Sequence, residues 1–543
     1  MIHKLLNNKY SRLLLGIFAV SFIIRVFQLG SLPFNFHEDE VLVGYVGRYI
    51  LENGFDIYGN KWPLLFFNKF GDYYIIGPFY LSAISSLIFG MNEFAIPFPA
   101  AFLGSLIVFP TYTLSYFVTR NKTIGLIAAA FIAITPWHIV LSRSSVEGIM
   151  GSTIFLSGIV LLLYAIRRKE IKYLIVGSFL FLLCYWMYHP FRIYVPLSFV
   201  PLCILFPEIR KNKKLLVGFI TATIVFFGLT FYISTTPWGS GRLEQTSIFS
   251  ELSGVKIRIQ QQIFNTGEED IPTARIFNNK LIGFGREFIN QYVTYFSPNF
   301  LFLRGGAESR YDMPDQGLLY VSFLIFLIAA FLPIGKKIRY HNSYLYYLIY
   351  LILLAPFPAA ITYYGSPNIN RSALLASVLI IPVAIGFYNI LTAKYNKLFV
   401  PVLGLILLAE CIYFWHQYSV QGEVFNAIRR NDAHRELVQY VQKKKQQYQH
   451  IFLPAEGNIA LYYLFFNKDF NPNYATQFKT DARIDSIDNI SFIDTSCPST
   501  INNLNFDNSL IINRYNCSEV TELKKITDIK GKNILLGFTV YSQ

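Results

Sequence analysis

Long apolar blocks recur along this 543-residue sequence and constrain its fold more than any other feature. Blocks of 17 to 20 apolar residues are frequent, and a helix of about 20 such residues crosses the ~30 Å hydrocarbon core of a bilayer. Only 15% of the residues are charged, against about 25% in a soluble globular protein. This composition excludes a disordered chain, a collagen-like fibre and a disulfide scaffold. We therefore predict a mainly α-helical, polytopic membrane protein, and count twelve blocks: 13–29, 73–90, 96–118, 123–141, 148–166, 173–188, 193–206, 215–233, 317–334, 344–362, 372–391 and 398–415.

The basic residues predict how the chain crosses the membrane, because cytoplasmic loops carry an excess of Lys and Arg. If all twelve blocks span, the last five basic clusters lie opposite the N-terminus. If block 73–90, which contains Gly77-Pro78, forms a juxtamembrane or re-entrant hairpin on the outer side, every cluster lies in the cytoplasm. We therefore predict about eleven transmembrane helices, with the N-terminus inside and the C-terminus outside. The six clusters also account for the net charge of +14 without nucleic acid: Lys4/Lys9/Arg12, Arg120/Lys122, Arg167/Arg168/Lys169/Lys172, Arg210/Lys211/Lys213/Lys214, Lys336/Lys337/Arg339 and Lys394/Lys397.

The polar regions define the domains. Residues 1–416 are predicted to form a transmembrane domain of the plasma (cytoplasmic) membrane, with a first outer loop at 31–95 and a late outer loop at 234–316. Residues 417–543 are predicted to form a small extracytoplasmic α/β domain, with a helix at 423–450 and strands at 451–453, 509–512 and 534–540. Cys497 and Cys517 of this domain form either a disulfide, in an oxidising compartment, or two free thiols.

The first outer loop opens with His37-Glu38-Asp39-Glu40 directly after the first apolar block. Acidic residues favour a helix N-terminus through its dipole, which accounts for one carboxylate better than for three. A carboxylate that removes a proton from an acceptor hydroxyl explains the cluster more fully, and we predict catalytic roles for Asp39 and Glu40. Arg25, near the outer end of the first block, either neutralises this cluster or snorkels to the membrane surface.

The short outer loops add further candidates. Arg143 and Glu147 are four residues apart. They either pair with each other or act on substrate, with Arg143 holding a phosphate and Glu147 serving as a catalytic carboxylate. Guanidinium groups match phosphate oxygens bidentately, so cations on one side of the membrane favour a lipid-phosphate substrate. The predicted substrate-binding residues are Lys69, Arg143, Tyr188, His189, Arg192 and Arg371. His189 alternatively bonds only to backbone, and Arg192 alternatively snorkels.

An ordered set of motifs in the first 200 residues resembles the membrane glycosyltransferases of the C superfamily. It is most similar to glycosyltransferase family 39, the dolichyl-phosphate-mannose–protein mannosyltransferases, and to the related aminoarabinose transferases. The rest of the chain matches mainly in helix count and hydropathy. The motifs are Asp39-Glu40, Gly47-Arg48, Gly54-Phe55-Asp56-Ile57-Tyr58-Gly59, Pro63, Phe89-Gly90, Glu93-Phe94-Ala95, Pro99, Gly104, Pro136 and Ser142-Arg143.

The resemblance implies an enzyme that transfers a sugar from a polyprenyl-phosphate donor at the outer face with inversion, and a first loop of juxtamembrane helices. It implies that Asp39 is the base, that Glu147 stands where the family usually has Asp, and that Lys69 lies near the donor phosphate. The Lys-Pro-Pro context of the family lysine is missing around Lys69. No metal is required, although Asp39 and Glu147 are compatible with a shared divalent cation. The loop 234–316 is too short for the repeat domain of eukaryotic protein mannosyltransferases, and the Trp-Trp-Asp motif of oligosaccharyltransferases is missing.

Two other functions stay open at this stage. A transporter or lipid flippase fits many helices with embedded charges, but it predicts midplane charges and a repeated half, and no repeat is visible. A polysaccharide ligase with a pyrophosphate-linked donor would use arginines in late outer loops, such as Arg304, Arg310 and Arg371. The sugar, and whether the acceptor is a protein, a lipid or a glycan, are not encoded in any recognisable motif.

Overall fold

The computed structural model describes most of the chain and divides it into two compact units. The first unit comprises residues 1–26, 100–142 and 146–414, and the second comprises 27–99, 143–145 and 415–543. Lys4, Arg310 and part of the predicted strand 534–540 lie outside the described residues, which are 8–33, 35–69, 72–266, 271–306, 311, 313–427, 429–478, 484–501, 504–515, 517, 523–531 and 537–543.

The regular elements that the structure describes in the first unit are helices, and its one described β-bridge joins Ser247 to Thr362. Its longer helices are the uniformly apolar ones, and its shorter helices form the connecting segments. In chain order they are α1 (Lys9–Val26), α4 (Phe98–Leu106), α5 (Val108–Thr119), α6 (Lys122–Ile134), α7 (Pro136–Ser142), α8 (Glu147–Arg168), α9 (Ile171–Tyr185), α10 (Phe191–Phe199), α11 (Leu202–Leu205), α12 (Pro207–Lys211), α13 (Lys213–Ser234), α14 (Pro237–Thr246), α15 (Val255–Phe264), α16 (Ile271–Phe277), α17 (Lys280–Thr294), α18 (Val321–Ala329), α19 (Asn342–Leu354), α20 (Phe357–Ala360), α21 (Ala373–Leu391) and α22 (Asn396–His416).

The lengths of these helices make the chain a multi-pass membrane protein. Within the described residues, six helices are long and apolar enough to cross a membrane, and a seventh span results if α6 and α7, bent by 57°, count together. This is fewer than the eleven predicted, because several apolar blocks fold into short helices. The 15-residue α9 and the nine-residue α18 are examples. The count of eleven therefore stays a prediction. The six are Phe98–Thr119, Glu147–Arg168, Lys213–Ser234, Asn342–Ala360, Ala373–Leu391 and Asn396–Phe425.

The described part of segment 31–95, the predicted first outer loop, belongs to the second unit. It contains α2 (Glu38–Asn53), the antiparallel hairpin β1 (Phe66–Lys69) and β2 (Asp72–Ile75), and α3 (Gly77–Phe89). Helix α3, the core of apolar block 73–90, has 13 residues. At 1.5 Å per residue it is too short to cross ~30 Å of hydrocarbon. It packs on α2 so closely that a Cβ at Gly47 would lie 2.3 Å from the carbonyl oxygen of Phe79, so only glycine fits there.

The C-terminal part of the second unit contains both helices and strands. Its described helices are α23 (Gly422–Phe425), α24 (His434–Lys444), α25 (Ile459–Asn467) and α26 (Pro472–Ala475). Its strands are β3 (His450–Pro454), β4 (Ser486–Ile487), β5 (Ile490–Ile493), β6 (Ser509–Arg514), β7 (Lys524–Lys530) and β8 (Gly537–Ser542).

The six strands form one mixed sheet in the order β4-β5-β3-β6-β8-β7. Strand β3 runs parallel to β5 and β6, and the outer pairs are antiparallel. Cys497 and Cys517 are joined in a disulfide, which decides between the two alternatives left open by the sequence.

The second unit joins the first loop to the tail through α2. The Tyr45 hydroxyl donates to the carbonyl of Asp469 (2.9 Å), and the Asn53 amide donates to the carbonyl of Phe470 (3.1 Å). The predicted boundary at 416/417 lies close to the unit boundary after Phe414, whereas residues 27–99 group with the tail rather than with the helices. As a division into functional domains, the predicted boundary stays a prediction.

Candidate active site

The N-terminus of α2 is built from the acidic cluster predicted from the sequence. His37 caps the helix: its Nδ1 accepts from the Asp39 amide (3.1 Å), while the Glu40 carboxylate accepts from the His37 amide (3.1 Å). This reciprocal capping satisfies two amides that a helix start leaves without intrahelical partners. The cap fixes the first turn, and it directs three successive carboxylates to three different faces.

Glu40 points into the interior of the second unit and is 3% exposed. Its carboxylate accepts from Arg430 (2.8 Å) and from the Ser145 amide (3.1 Å), in addition to the His37 amide. Arg430 also donates twice to the carbonyl of Asn35. A catalytic role for Glu40 stays a prediction, and its contacts are those of a residue that positions the start of α2.

Asp39 points toward the β1–β2 hairpin and keeps 16% of its side chain exposed. Its carboxylate accepts from the Lys69 ammonium and from the Tyr74 hydroxyl (3.3 Å). Lys69 ends β1 and pairs across the turn with Asp72, and its ammonium lies 5.1 Å from the centre of the Tyr74 ring. The hairpin therefore brings together Asp39 and Lys69, which are 30 residues apart in sequence.

Glu38, the third carboxylate, faces the tail of the same unit. It accepts from the Asn458 amide (2.5 Å) and lies 3.6 Å from the Lys69 ammonium. Lys69 is thus flanked by two carboxylates, while Glu40 is neutralised separately by Arg430. Asp39 is therefore partly exposed and lies beside one cation, the Lys69 ammonium, which is carried on a long alkyl side chain.

Arg143 is buried in the second unit. Its Nη2 donates to the carbonyl of Leu32 (2.9 Å) and its Nε to the Tyr418 hydroxyl (3.2 Å). Its guanidinium lies 5.7 Å from the Trp415 ring centre and 5.5 Å from that of Tyr418, within cation–π range. With Glu40 and Arg430 it lines a cavity of about 80 Å³, which has room for a few water molecules.

In the first unit, Glu147 lies in the first turn of α8, next to the loop 363–371. Its carboxylate accepts from the Asn370 side-chain amide (3.3 Å), and Asn370 Oδ1 in turn accepts from the Gly148 backbone amide (3.2 Å). Arg371, the next residue, donates to Thr362 Oγ1 (2.9 Å) and to the carbonyl of Tyr364 (2.5 Å). A Cβ at Gly148 would lie 2.2 Å from Asn370 Oδ1, so the close approach of α8 to this loop needs glycine.

Arg192, at the start of α10, is buried beside His189. Its Nη1 donates to His189 Nδ1 (3.0 Å), and its guanidinium lies 5.0 Å from the centre of the Trp238 ring. Its Nε–H is buried and has no hydrogen-bond partner among the described residues. Tyr194, half a turn further on, reaches the carbonyl of Arg371 (3.4 Å). The loops that carry Glu147, Arg192 and Arg371 therefore converge within the first unit, with Tyr188 in the loop that precedes α10.

Arg25 takes neither of its two predicted roles. It is fully buried and caps the broken end of α6, where Pro136 interrupts the helix. Because proline has no amide proton, the carbonyls before the break need other donors. Arg25 donates to the carbonyls of Ala133 (3.0 Å) and Ile132 (3.4 Å). It also contacts His138 Nδ1 (2.9 Å) and Ser142 Oγ (3.3 Å) across the bend.

Several contact residues are missing from the sequence prediction. Arg430 and Asn458 come from the tail, and no local pattern links them to the acidic cluster 390 to 420 residues earlier. Tyr74 lies in the short strand β2, and nothing in its local sequence distinguishes it from its neighbours as a contact of Asp39. Asn370, next to the predicted Arg371, is the one that a closer reading of the polar loop would have found.

The arrangement offers limited support for a metal. Among the described residues, no three His, Cys, Asp or Glu side chains come together as a ligand set for a metal ion. A cation at Asp39 would have to displace the Lys69 ammonium, which already contacts that carboxylate. A divalent metal shared by Asp39 and Glu147 stays a prediction.

The fold was compared with known proteins. No protein-family model and no curated protein sequence matches the chain. Its structure is similar to the apo oligosaccharyltransferase of Archaeoglobus fulgidus, with a TM-score of 0.45 and 13% identity over 84% of this chain and 64% of that one. It is also similar to ArnT from Cupriavidus metallidurans bound to undecaprenyl phosphate, with a TM-score of 0.45 and 9% identity over 98% and 97% of the two chains.

A third similar structure is AglB, the archaeal oligosaccharyltransferase from Archaeoglobus fulgidus, in complex with an inhibitory peptide and a dolichol-phosphate. It has a TM-score of 0.43 and 12% identity over 84% of this chain and 63% of that one. The chain thus spans less than two thirds of the length of the oligosaccharyltransferases that it matches. The three matched structures are similar to the chain at TM-scores of 0.43 to 0.45. At TM-scores below 0.5 they assign no role to any residue of this chain.

Proposed function

We propose that this chain is an inverting glycosyltransferase that moves a sugar from a polyprenyl-phosphate donor to an acceptor at the outer face of the membrane. The observation that carries the proposal is the environment of Asp39. It is the partly exposed carboxylate of the acidic cluster that accepts a hydrogen bond from Lys69, a lysine that can bind phosphate. Glu38 lies 3.6 Å from the same ammonium, but its carboxylate accepts from the Asn458 amide. The resemblance in the first 200 residues also points to Asp39.

In the proposed reaction, the Asp39 carboxylate removes the proton from an acceptor hydroxyl. The hydroxyl oxygen forms a bond to the sugar C1 as the bond between C1 and the phosphate oxygen breaks. The electron pair of that bond leaves with the lipid phosphate, and the anomeric centre is inverted. Phosphate is a stable leaving group, so positioned cations suffice to stabilise the developing charge.

Lys69 connects donor binding to the base. In the structure its ammonium neutralises Asp39, and a carboxylate held by an ammonium is a poor acceptor for a further proton. A donor phosphate that draws Lys69 to itself would leave Asp39 free to act. In this proposal Glu40 and Arg430 hold the start of α2 in place and do not contact substrate.

The outer-loop residues of the first unit complete the proposal. Arg192 has a buried guanidinium with a vacant Nε–H, a suitable donor for an anionic oxygen. Arg371 and His189 add donor capacity, and Tyr188 offers an aromatic face to a sugar or prenyl group. The proposal places these loops outside the membrane, with eleven spans and a cytoplasmic N-terminus. The sugar and the acceptor are left unspecified, and mannose has no particular support.

The test compares Asp39→Asn with Glu52→Gln in the purified chain. Glu52 lies on the same helix and pairs at the surface with Arg48 (2.7 Å), so it is a matched control. Polyprenyl-phosphate sugars radiolabelled in the sugar are incubated with membrane extract as acceptor, and transfer is followed with release of lipid phosphate. We expect Asp39→Asn to lose about 10²–10⁴-fold in rate, the usual contribution of a general base, and Glu52→Gln to match the unaltered chain.

Three outcomes would contradict the proposal. Full transfer by Asp39→Asn would remove the assigned base. Movement of intact labelled donor across a vesicle bilayer, without release of lipid phosphate, would identify a flippase. Consumption of a pyrophosphate-linked donor but not of a monophosphate-linked one would identify a ligase, and Arg304 and Arg371 would then be the residues to vary.

A further inference from the structure

An apolar groove runs between α9 and α13 in the first unit, away from the proposed catalytic residues. Its volume is about 950 Å³, in the upper range of small-ligand pockets. Small side chains leave this room: Ser178 on α9 faces Gly218, Thr221 and Ala222 on α13. The floor is closed by the buried Leu174 and Phe226.

The two helices start at the same end of the groove. A Cβ at Gly218 would lie 2.7 Å from Leu174 Cδ2 and 3.4 Å from Ile171 Cδ1, so the first turns of α9 and α13 are adjacent. At the far end, the Tyr185 hydroxyl contacts Thr230 Oγ1 (2.6 Å) and donates to the carbonyl of Phe226 (3.1 Å), which closes the groove. The groove therefore has one open end, at the starts of the two helices, and one closed end, at the contact of Tyr185 with Thr230.

The length of the groove matches one leaflet of a bilayer. Its lining extends from Ile171 to Leu182 on α9 and from Lys213 to Phe226 on α13. At 1.5 Å per residue, these stretches are roughly 17 and 20 Å long. Half of a ~30 Å hydrocarbon core is about 15 Å. A transmembrane helix of a partner protein would need a surface about twice as long, whereas a lipid acyl chain fits.

Positive charge is confined to the open end. Lys213 and Lys214 line the groove where α13 begins. Within the described residues neither lysine has a carboxylate partner, and the nearby Glu170 is paired with Lys172. Both lysines belong to a cluster predicted to be cytoplasmic, where basic pockets between helices bind anionic head groups. The charge at one end and the apolar wall along the rest are complementary to an anionic lipid.

We propose that this groove binds an anionic phospholipid of the cytoplasmic leaflet. Its phosphate head group lies on Lys213 and Lys214, and an acyl chain lies over Gly218 and Ala222. This site is independent of the proposed transfer reaction and lies at the opposite end of the helices from the outer loops.

The test measures lipid binding to the purified chain in detergent by native mass spectrometry, with phosphatidylglycerol as the probe. The variants are Lys213→Ala/Lys214→Ala, which removes the charge, and Ala222→Phe, which fills the groove. Lys336→Ala/Lys337→Ala, at another exposed basic cluster, is the matched control. Removal of two lysines should weaken binding about thirty-fold, at about 1 kcal/mol for each lysine and 1.4 kcal/mol per tenfold change.

Support requires that both groove variants lose the bound lipid, that the control retains it, and that phosphatidylethanolamine binds more weakly. Equal binding by Lys213→Ala/Lys214→Ala would overturn the proposal, and so would equal binding of the two lipids. Displacement of the lipid by inorganic phosphate would also overturn it, because this result would show a head-group site without an acyl groove. Because both lysines are exposed, we expect their replacement by alanine to leave the packing of the core unchanged.

Discussion

Replacement of Arg25 by alanine should destabilise the first unit, because this guanidinium satisfies the acceptors at the bend between α6 and α7. Arg25 is fully buried. It donates to the carbonyls of Ile132 and Ala133 and to His138 Nδ1. Because Pro136 breaks the helix after these two residues, their carbonyls lie outside the regular helical hydrogen-bond pattern. The negative end of the α6 dipole also faces it, so the buried cation lies where a positive charge is favoured.

The size of the effect follows from the acceptors left behind. A buried acceptor without a partner costs about 1–3 kcal/mol. Two carbonyls lose their donor in Arg25→Ala, while Ser142 Oγ, 3.2 Å from His138 Nδ1, can replace the arginine at the ring. Relief from burying the cation offsets part of the loss, which leaves about 2–4 kcal/mol. Arg25→Lys keeps the charge but not the fork of donors, and about half of that loss is expected.

The assay is thermal unfolding of the purified chain, followed with a thiol-reactive dye at the buried Cys184. We expect Arg25→Ala to lower the melting temperature by roughly 3–8 °C, since large chains shift by a few degrees per kcal/mol. Arg12→Ala is the control, because Arg12 is an exposed residue of the same helix. If Arg25→Ala and Arg12→Ala melt together, the guanidinium does not hold the bend.

Two further predictions concern the second unit. Arg430→Ala should lower the free energy of unfolding by about 3–5 kcal/mol, because it leaves the Glu40 carboxylate buried without its cation. The double variant Arg430→Met/Glu40→Gln should recover most of this free energy, as measured by chemical unfolding. A double variant as unstable as Arg430→Ala would contradict the prediction. Hydrogen bonds from Lys445 and then Tyr474 hold the pKa of Asp488 below its usual range, so their contribution to stability is present above about pH 4 and is lost as the pH falls through the lowered value. Asp488→Asn should therefore destabilise by no more than about 1 kcal/mol at neutral pH, given the exposure of the pair. The difference in stability between Asp488→Asn and the unaltered chain should vanish in acid. Hydrogen exchange of β4 and β5 measures it at neutral and at acid pH. If the two chains differ equally at both pH values, the Asp488 carboxylate does not cause the difference.

The sequence predicts the class of fold because apolar length and strand alternation are local properties. The long blocks around α8, α13 and α21 reappear as helices with nearly the predicted bounds. Strands β3 and β6 extend the predicted 451–453 and 509–512 by one to two residues. The predicted long helix 423–450 is broken into α23 and α24, and between them Arg430 and Asp432 make tertiary contacts with Asn35.

The site is less predictable, because its contacts join distant segments. Asp39 and Lys69 are both named from the sequence, whereas the hairpin β1–β2 that brings Lys69 to Asp39 is not among its predictions. The partners of Glu40 and Glu38 come from beyond residue 429, and no local pattern connects them. Arg25 shows the same limit: its sequence position beside the acidic cluster suggests a charge pair, whereas the fold directs it to backbone carbonyls at Pro136.

The geometry of a helix start explains why three adjacent carboxylates have three different surroundings. Successive residues of a helix point about 100° apart, since 3.6 residues make one turn. Glu40 therefore faces inward to Arg430, Glu38 faces Asn458, and Asp39 faces the hairpin that carries Lys69. A substitution that exchanges the identities of positions 39 and 40 would conserve composition and charge but would remove both arrangements. In the proposed function, Asp39 carries out the chemistry and its two neighbours fix its position, so full transfer by Asp39→Asn would refute the proposal.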